Sequence, residues 1–419
     1  MMINTRRPWI KAALIGALSV IALLACKQLI DGIMYSSRGT TNAADLRIPL
    51  LDKTARYAGG SGMVLRGGKT VYTWGDVNKL YDLKSTTKSI GVTALGLALK
   101  DGLIQLDDRV ADRLPMLGRT PKQNLETGWI DQITYLDLAT HTAGFDKHGG
   151  YEPLLFKPGT AWAYSDGGAN WLADALTNLY QRDLQDLLFE RVFKKLGIDR
   201  KDLRWRENAY REPRLNDIPR REFGSGIHAN VKAMAGIGLL YLRRGQWNGE
   251  TILSRGFVDL ARKPLDRISR LPVKNDLKHR FAGASGQMGL LWWNNGDGNM
   301  KGVPKDTFFS WGLHDSFIVV IPSLDMVIAR AGETIAQNQE SNDDSVLERL
   351  LRPIVASVNF GAPVPGSPCI SSLEWDDPAT IIRKADGSDN WPITWGSDDR
   401  LYTAYGDGKG FESQTQKKL

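Results

Sequence analysis

A chain of 419 residues, 42% hydrophobic and 24% charged, carries enough apolar material for a large core and is not an intrinsically disordered protein. Its formal charge is +7, and acidic residues are interspersed in both Arg-rich stretches, 191–221 and 255–280, with no aromatic stacking platform or nucleic-acid motif beside them. Nucleic-acid partners are therefore not expected. Two cysteines, Cys26 and Cys369, exclude a disulfide framework, and five histidines without an H-E-x-x-H pair imply no metal and no cofactor.

At the N-terminus, Arg6, Arg7 and Lys11 precede an apolar run over 12–26, the length of a signal h-region and short for a membrane span. Arg6-Arg7-Pro8-Trp9-Ile10-Lys11 resembles a twin-arginine export signal. Leu23-Leu24-Ala25-Cys26 resembles a bacterial lipobox, in which the cysteine is acylated after cleavage. Residues 1–26 thus read as an export signal, with either a lipidated Cys26 or an uncleaved anchor, and 27–45 as a linker. Either way the body lies in the periplasm or cell envelope, anchored to the membrane through its N-terminus where the anchor is kept.

Two short apolar runs, 62–65 and 70–74, flank the turn residues Arg66-Gly67-Gly68-Lys69 and predict a hairpin. A phosphate-binding loop is excluded there, because five residues separate Gly62 from Gly68 where the motif needs four. Ile90, Ala94, Leu97 and Ala98 recur at helical spacing and predict a helix over 85–101, stopped by Gly102. Further helices are predicted over 135–140, 170–180, 184–196 and 231–243. Strands are predicted over 286–293, 307–311, 316–321 and 326–329, and a closing helix over 346–358. An early hairpin, a helical middle and a late meander predict an α/β fold: an antiparallel sheet built from both ends of the chain and flanked by helices, plus a mainly helical lobe. The main domain spans 46–358, and the Pro- and Gly-rich 359–371 is a linker. The tail, 372–419, alternates aromatic and polar residues around turns, like one hairpin of a truncated propeller-like domain or an extra hairpin; it is too short for a core of its own.

Ser85-Thr86-Thr87-Lys88 puts a hydroxyl and an amine one helical turn apart on one face. A serine needs something to take its proton, and a lysine can do so only when its pKa is lowered. Alone, the pair also fits a helix cap followed by a solvated lysine. Together with Tyr164-Ser165-Asp166 and Ser310-Trp311-Gly312, it resembles the three-element site of the serine β-lactamase and penicillin-binding protein superfamily. The likeness is greatest to class C β-lactamases and the related esterases, D-aminopeptidases and aminohexanoate-dimer hydrolases. The stretch from Ile133 to Gly144 is similar to that family's ITIRHLLTHTSG signature, and Lys157-Pro158-Gly159-Thr160 to its approach to the tyrosine. Gly224-Ser225-Gly226 and Gly245-Gln246-Trp247-Asn248-Gly249 match its later glycine landmarks.

The resemblance implies a β-lactamase/transpeptidase-like fold and a serine hydrolase acting through an acyl-enzyme on a small ester or amide. It makes Ser85 the nucleophile, Lys88 its base and Tyr164 the proton shuttle. The backbone amides of Ser85 and Leu313 would form the oxyanion hole. Asp166, Ser310, Trp311, Gly312 and His314 would line the substrate, with Trp311 a flat apolar wall. A triad role for His141 is not expected, since no G-x-S-x-G elbow exists and Ser285 comes nearest to one; the resemblance implies a structural role for it. Two departures stand out. Asp166 replaces the family's asparagine and could pair with Lys88 or receive a substrate amine, and Ser310-Trp311-Gly312 lacks the cation of Lys-Thr-Gly. The second counts against β-lactam turnover. A cell-wall D,D-peptidase or a β-lactamase is the rival enzyme, and a penicillin-recognising binding module the non-enzymatic alternative.

Overall fold

The computed structural model describes residues 46–274, 283–335 and 344–358, with the backbone of 393–395 and 401–403. The export signal, Cys26 and both linkers lie outside the described residues. No described helix is long and apolar enough to cross a membrane.

One antiparallel sheet is assembled from two distant parts of the chain. β1 (Ser61–Arg66) and β2 (Lys69–Trp74) form the early hairpin, closed by Gly67 and Gly68 at φ 58° and 74°. Two left-handed residues in a two-residue loop match the twist of the flanking strands, and glycine adopts that conformation at little cost. β3 (Trp293–Asn294), β4 (Phe308–Gly312), β5 (Ser316–Ile321) and β6 (Met326–Ala331) follow, and the spatial order is β3-β4-β5-β6-β1-β2. β6 closes on β1 with Ser61 opposite Ala331 and Arg66 opposite Met326.

Because side chains alternate across a strand, each face of this sheet is a separate core. Val64, Phe317, Val319, Ile321, Met326 and Ile328 point one way, under α1 (Ile48–Ala58) and the closing helix Asp344–Ser357. Met63, Leu65, Ile318, Val320, Val327 and Ala329 point the other way, into the larger core shared with the helix Val231–Leu242. Each such aliphatic side chain, fully buried, contributes about 1.5–3 kcal/mol. A one-residue slip of any central strand would exchange its two faces, so the register is strongly specified.

The rest of that second core belongs to the helical lobe. α2 (Thr86–Gly91) and α3 (Thr93–Lys100) run nearly end to end, with Val92 as the junction, where one helix was expected. Tyr81–Asp82 and Leu203–Trp205 both pair with Ile227–Ala229, which stitches the approach to α2 onto the lobe. α4 (Asp166–Tyr180) begins four residues earlier than expected. Gly167 and Gly168 are poor helix formers, but Ser165 caps the helix by accepting the Gly168 amide at 2.8 Å.

The predicted strand over 286–293 is corrected. Ala284–Gln287 is a helical turn, and only Trp293 and its neighbour join the sheet. Leu290, Leu291 and Trp292 are buried in loop conformation, Leu291 at φ 55°. An apolar run indicates burial, and burial alone does not make a strand.

The chain divides into two units, 1–362 and 363–419. In the second, Ile393–Trp395 pairs antiparallel with Leu401–Thr403.

Candidate active site

Ser85 stands where the approach strand turns into α2. The turn is made by Lys84 in a left-handed conformation, φ 49°, which is uncommon for a side chain of this kind. Asp82 holds it, accepting the Lys84 amide at 3.1 Å and its ammonium at 2.6 Å. The two threonines that follow anchor α2 on opposite sides. Thr86 donates to the Ser316 carbonyl at 2.9 Å, and Thr87 accepts the Ile227 amide at 2.9 Å. With one side tied to the sheet and another to the lobe, the half-buried Ser85 and the buried Lys88 share the remaining direction.

Lys88 is 3% exposed and spends all three of its N–H bonds. It donates to Ser85 Oγ at 3.2 Å, to Asp166 Oδ1 at 2.5 Å and to the Gly224 carbonyl at 2.7 Å. Burial pulls its pKa down, but the Asp166 carboxylate and then Tyr164 more than offset this and push it up to about 12. The raised pKa favours the ammonium form of Lys88, which donates to the serine oxygen.

Tyr164 closes the group from above, its ring centroid 4.7 Å from Lys88 Nζ. Behind it His141 packs at 4.6 Å between centroids, accepting the Ser165 amide through Nδ1 at 3.3 Å. Burial, and then the Lys88 charge, hold the His141 pKa well below its usual value, so this imidazole stays neutral. Its ring packs against Tyr164. Trp293 of β3 lies nearly parallel to Tyr164, at 10° and 6.4 Å.

Asp166 opens α4 and is 26% exposed, so its carboxylate reaches Lys88 from the solvent side. One turn further on, the fully buried Asn170 accepts the amides of Phe223 at 2.9 Å and Gly224 at 3.2 Å, which aims the Gly224 carbonyl at Lys88. Sequence reasoning missed Asn170 as a site residue. Its available signal is the four-residue spacing from Asp166, which puts both on one face of α4.

The end of β4 abuts the Ser85 turn. A Cβ on Gly312 would lie 2.1 Å from the Leu83 carbonyl oxygen, 2.3 Å from Ser316 Oγ and 3.1 Å from the Thr86 amide, so only glycine permits this approach. Leu313 follows it, half exposed, on the turn to β5.

Two of the expected substrate contacts are corrected. Ser310 is fully buried and braces the sheet, accepting the Ile318 amide at 2.8 Å and meeting Thr86 Oγ1 at 3.1 Å. Trp311, partly buried, projects from the opposite face of the sheet, against Phe317 at 5.6 Å and packed onto the core under α1, with Nε1 donating to Asp315 at 3.2 Å. Alternation along the strand forbids Ser310 and Trp311 from facing the same side. Trp293, which was read only as the end of a strand, is the tryptophan beside Tyr164. His314 is exposed, and its Nδ1 lies 2.8 Å from Thr334 Oγ1.

A family model described as Beta-lactamase matches residues 44–351. No curated protein matches the chain. Among solved structures, a penicillin-binding protein homolog from Caulobacter crescentus superposes with a TM-score of 0.55 at 16% identity, over 76% of this chain and 99% of that one. EstCE1, a hydrolase with promiscuous acyltransferase activity, gives 0.53 at 16% identity over 74% and 96%. A beta-lactamase from Mycobacterium bovis gives 0.51 at 20% identity over 72% and 100%. At these identities the likeness concerns the fold.

Proposed function

The chain belongs to the beta-lactamase family and is a serine hydrolase, and we propose that it is exported and cleaves small, uncharged esters through an acyl-enzyme on Ser85. The observation that carries this reading is the Lys88 ammonium, donated at once to Ser85, Asp166 and Gly224 with the Tyr164 ring over it.

The proton inventory follows from that arrangement. Ser85 Oγ attacks the carbonyl carbon while, in one concerted relay, its proton moves onto the Tyr164 oxygen and the Tyr164 proton moves on to the departing alkoxide, which leaves as the alcohol with Tyr164 neutral at the end. In the second step, water attacks the acyl-enzyme, gives its proton to Tyr164 and releases the acid, while the Tyr164 proton returns to Ser85 Oγ. Lys88 remains an ammonium throughout and stabilises negative charge on the two oxygens. The amides of Ser85 and Leu313 receive the carbonyl oxygen as it becomes an oxyanion. Esters are preferred over β-lactams and D-Ala-D-Ala peptides because the Ser310-Trp311-Gly312 strand carries no cation where the family's Lys-Thr-Gly has one, and Lys84 is committed to Asp82. The N-terminal 26 residues would carry the protein to the periplasm or cell envelope, where Cys26 or an uncleaved signal retains it on the membrane.

The test is labelling by a fluorophosphonate with hydrolysis of p-nitrophenyl butyrate, on the wild type and on Ser85→Ala. Labelling and turnover should both vanish in the variant while its melting temperature stays within a few degrees. Stoichiometric labelling of another serine in Ser85→Ala would overturn the assignment.

A further inference from the structure

We propose that Arg330 is a positioning residue for catalysis: from the face of the sheet opposite Ser85 it fixes the β4–β5 turn, and with it the backbone amide of Leu313. This rests on the oxyanion-hole reading above.

Arg330 lies on β6 opposite Phe317 and Gly62, on the face turned toward α1, and is 1% exposed. A buried guanidinium usually takes a carboxylate in a bidentate pair. Among the described residues, every hydrogen bond Arg330 makes goes to a main-chain carbonyl. Nη1 donates to His314 at 2.7 Å and Asp315 at 2.8 Å. Nη2 donates to Ala58 at 2.6 Å and Glu333 at 2.6 Å, and Nε to Ala58 at 3.1 Å. Three segments therefore converge on one side chain: the last residue of α1, the β4–β5 turn, and the stretch after β6.

The turn it holds needs holding. His314 and Asp315 are consecutive non-glycine residues in left-handed conformation, φ 66° and 59°, a combination that L side chains disfavour. Their carbonyls are the ones Arg330 Nη1 receives. Asp315, itself buried, adds a second clamp by accepting Trp311 Nε1 at 3.2 Å and the Ile335 amide at 3.0 Å. On the other side, Gly312 is pressed against the Ser85 turn. The peptide that carries the Leu313 N–H lies between these two constraints, on a residue whose own side chain is half exposed. An oxyanion donor is effective only when its direction is set before charge develops. Arg330 sets it through the backbone, without touching substrate.

Arg330→Met and Arg330→Lys in the full chain test this. Methionine removes all the donors, and lysine keeps the charge and up to three of them. Two readouts are taken: hydrogen exchange of the 308–316 segment, and kcat and KM for p-nitrophenyl butyrate per site titrated with fluorophosphonate. The expected result is faster exchange at the turn in Arg330→Met and a kcat lower by roughly ten- to hundredfold, with KM within about twofold. Arg330→Lys should recover part of both effects, and should serve alone if the methionine variant does not fold. Unchanged exchange at the turn, or unchanged kcat, in a folded variant overturns the proposal. Turnover or labelling absent from the wild type would instead defeat the hydrolase reading, while the exchange measurement still reports whether Arg330 holds the turn.

Discussion

Replacing Asp166 by asparagine separates the two roles open to Lys88. The pair is short, 2.5 Å, and its lysine is buried while its carboxylate is only a quarter exposed. A charge-assisted hydrogen bond of this kind contributes about 1.5–3 kcal/mol, and at about 1.36 kcal/mol per pH unit its loss lowers the Lys88 pKa by about one to two units. From about 12 the ammonium would then titrate near the top of an accessible pH range. The sign is fixed by the direction of the shift. A group whose folded pKa is raised keeps its charge to higher pH, so in the wild type the cation persists throughout pH 6–10, and in Asp166→Asn it is lost earlier. If Lys88 works as a cation, kcat/KM for p-nitrophenyl butyrate, corrected for background hydrolysis, should acquire an alkaline fall about one to two units lower in the variant than in the wild type. A variant faster than wild type by tenfold or more at pH 8 would refute this, because it would mean that neutral lysine is the working base. An unmoved alkaline limb would refute the assignment of Asp166 as the group that holds the charge. The same linkage acts on stability. The pair's contribution is fully present below the unfolded lysine value, about 10.5, and is lost as pH rises through the folded one. Asp166→Asn should therefore melt lower at pH 7–9 by about 1–2 kcal/mol, with the gap closing only above that value.

Trp311→Ala should cost stability, about 2–4 kcal/mol by thermal or urea unfolding, while kcat/KM per folded molecule stays within about threefold; Trp293→Ala should instead raise KM for an aromatic ester about three- to tenfold. The opposite pattern would return Trp311 to the pocket. Gly312→Ala should lower kcat by roughly a hundredfold, because the added methyl forces the strand end away from the Ser85 turn and misplaces the reacting groups by about an ångström; near-normal steady-state turnover would show that the close approach is dispensable. Nitrocefin should be a poor substrate beside p-nitrophenyl butyrate, since the missing strand cation forfeits about ten- to hundredfold in recognition. Equal kcat/KM for the two on one preparation would restore a β-lactamase.

The local grammar of the chain carried most of the architecture. Gly67-Gly68 set the first hairpin, the β-branched runs over 316–321 and 326–331 set two central strands, and the three-residue spacing of Ser85 and Lys88 put both on one face of α2. These features depend on backbone conformation and side-chain period, which act between near neighbours and so are written in consecutive residues. The likeness of three short motifs to one superfamily added the fold and named the candidate reacting groups.

What the sequence by itself determined, then, was where most strands, helices and turns lie and which side chains are chemically able to react; the tertiary structure decided how they behave, and it turned the apolar run over 286–293 from strand into a helical turn and buried loop. Alternation along β4 means that Ser310 and Trp311 must part, but only pairing with β5 chooses which of them faces α2, and Trp311 went to the other side. The charge on Lys88 depends on a carboxylate 78 positions away and on a carbonyl 136 positions away, aimed by Asn170. The Leu313 turn is held by an arginine that lies just beyond the strand predicted over 326–329 and carries no signal of its own in the sequence. Burial and Coulomb interactions act through space and scale with the surroundings each group meets. No spacing along the chain encodes them, so the candidate reactive residues could be named from the sequence while their protonation, direction and constraint could not.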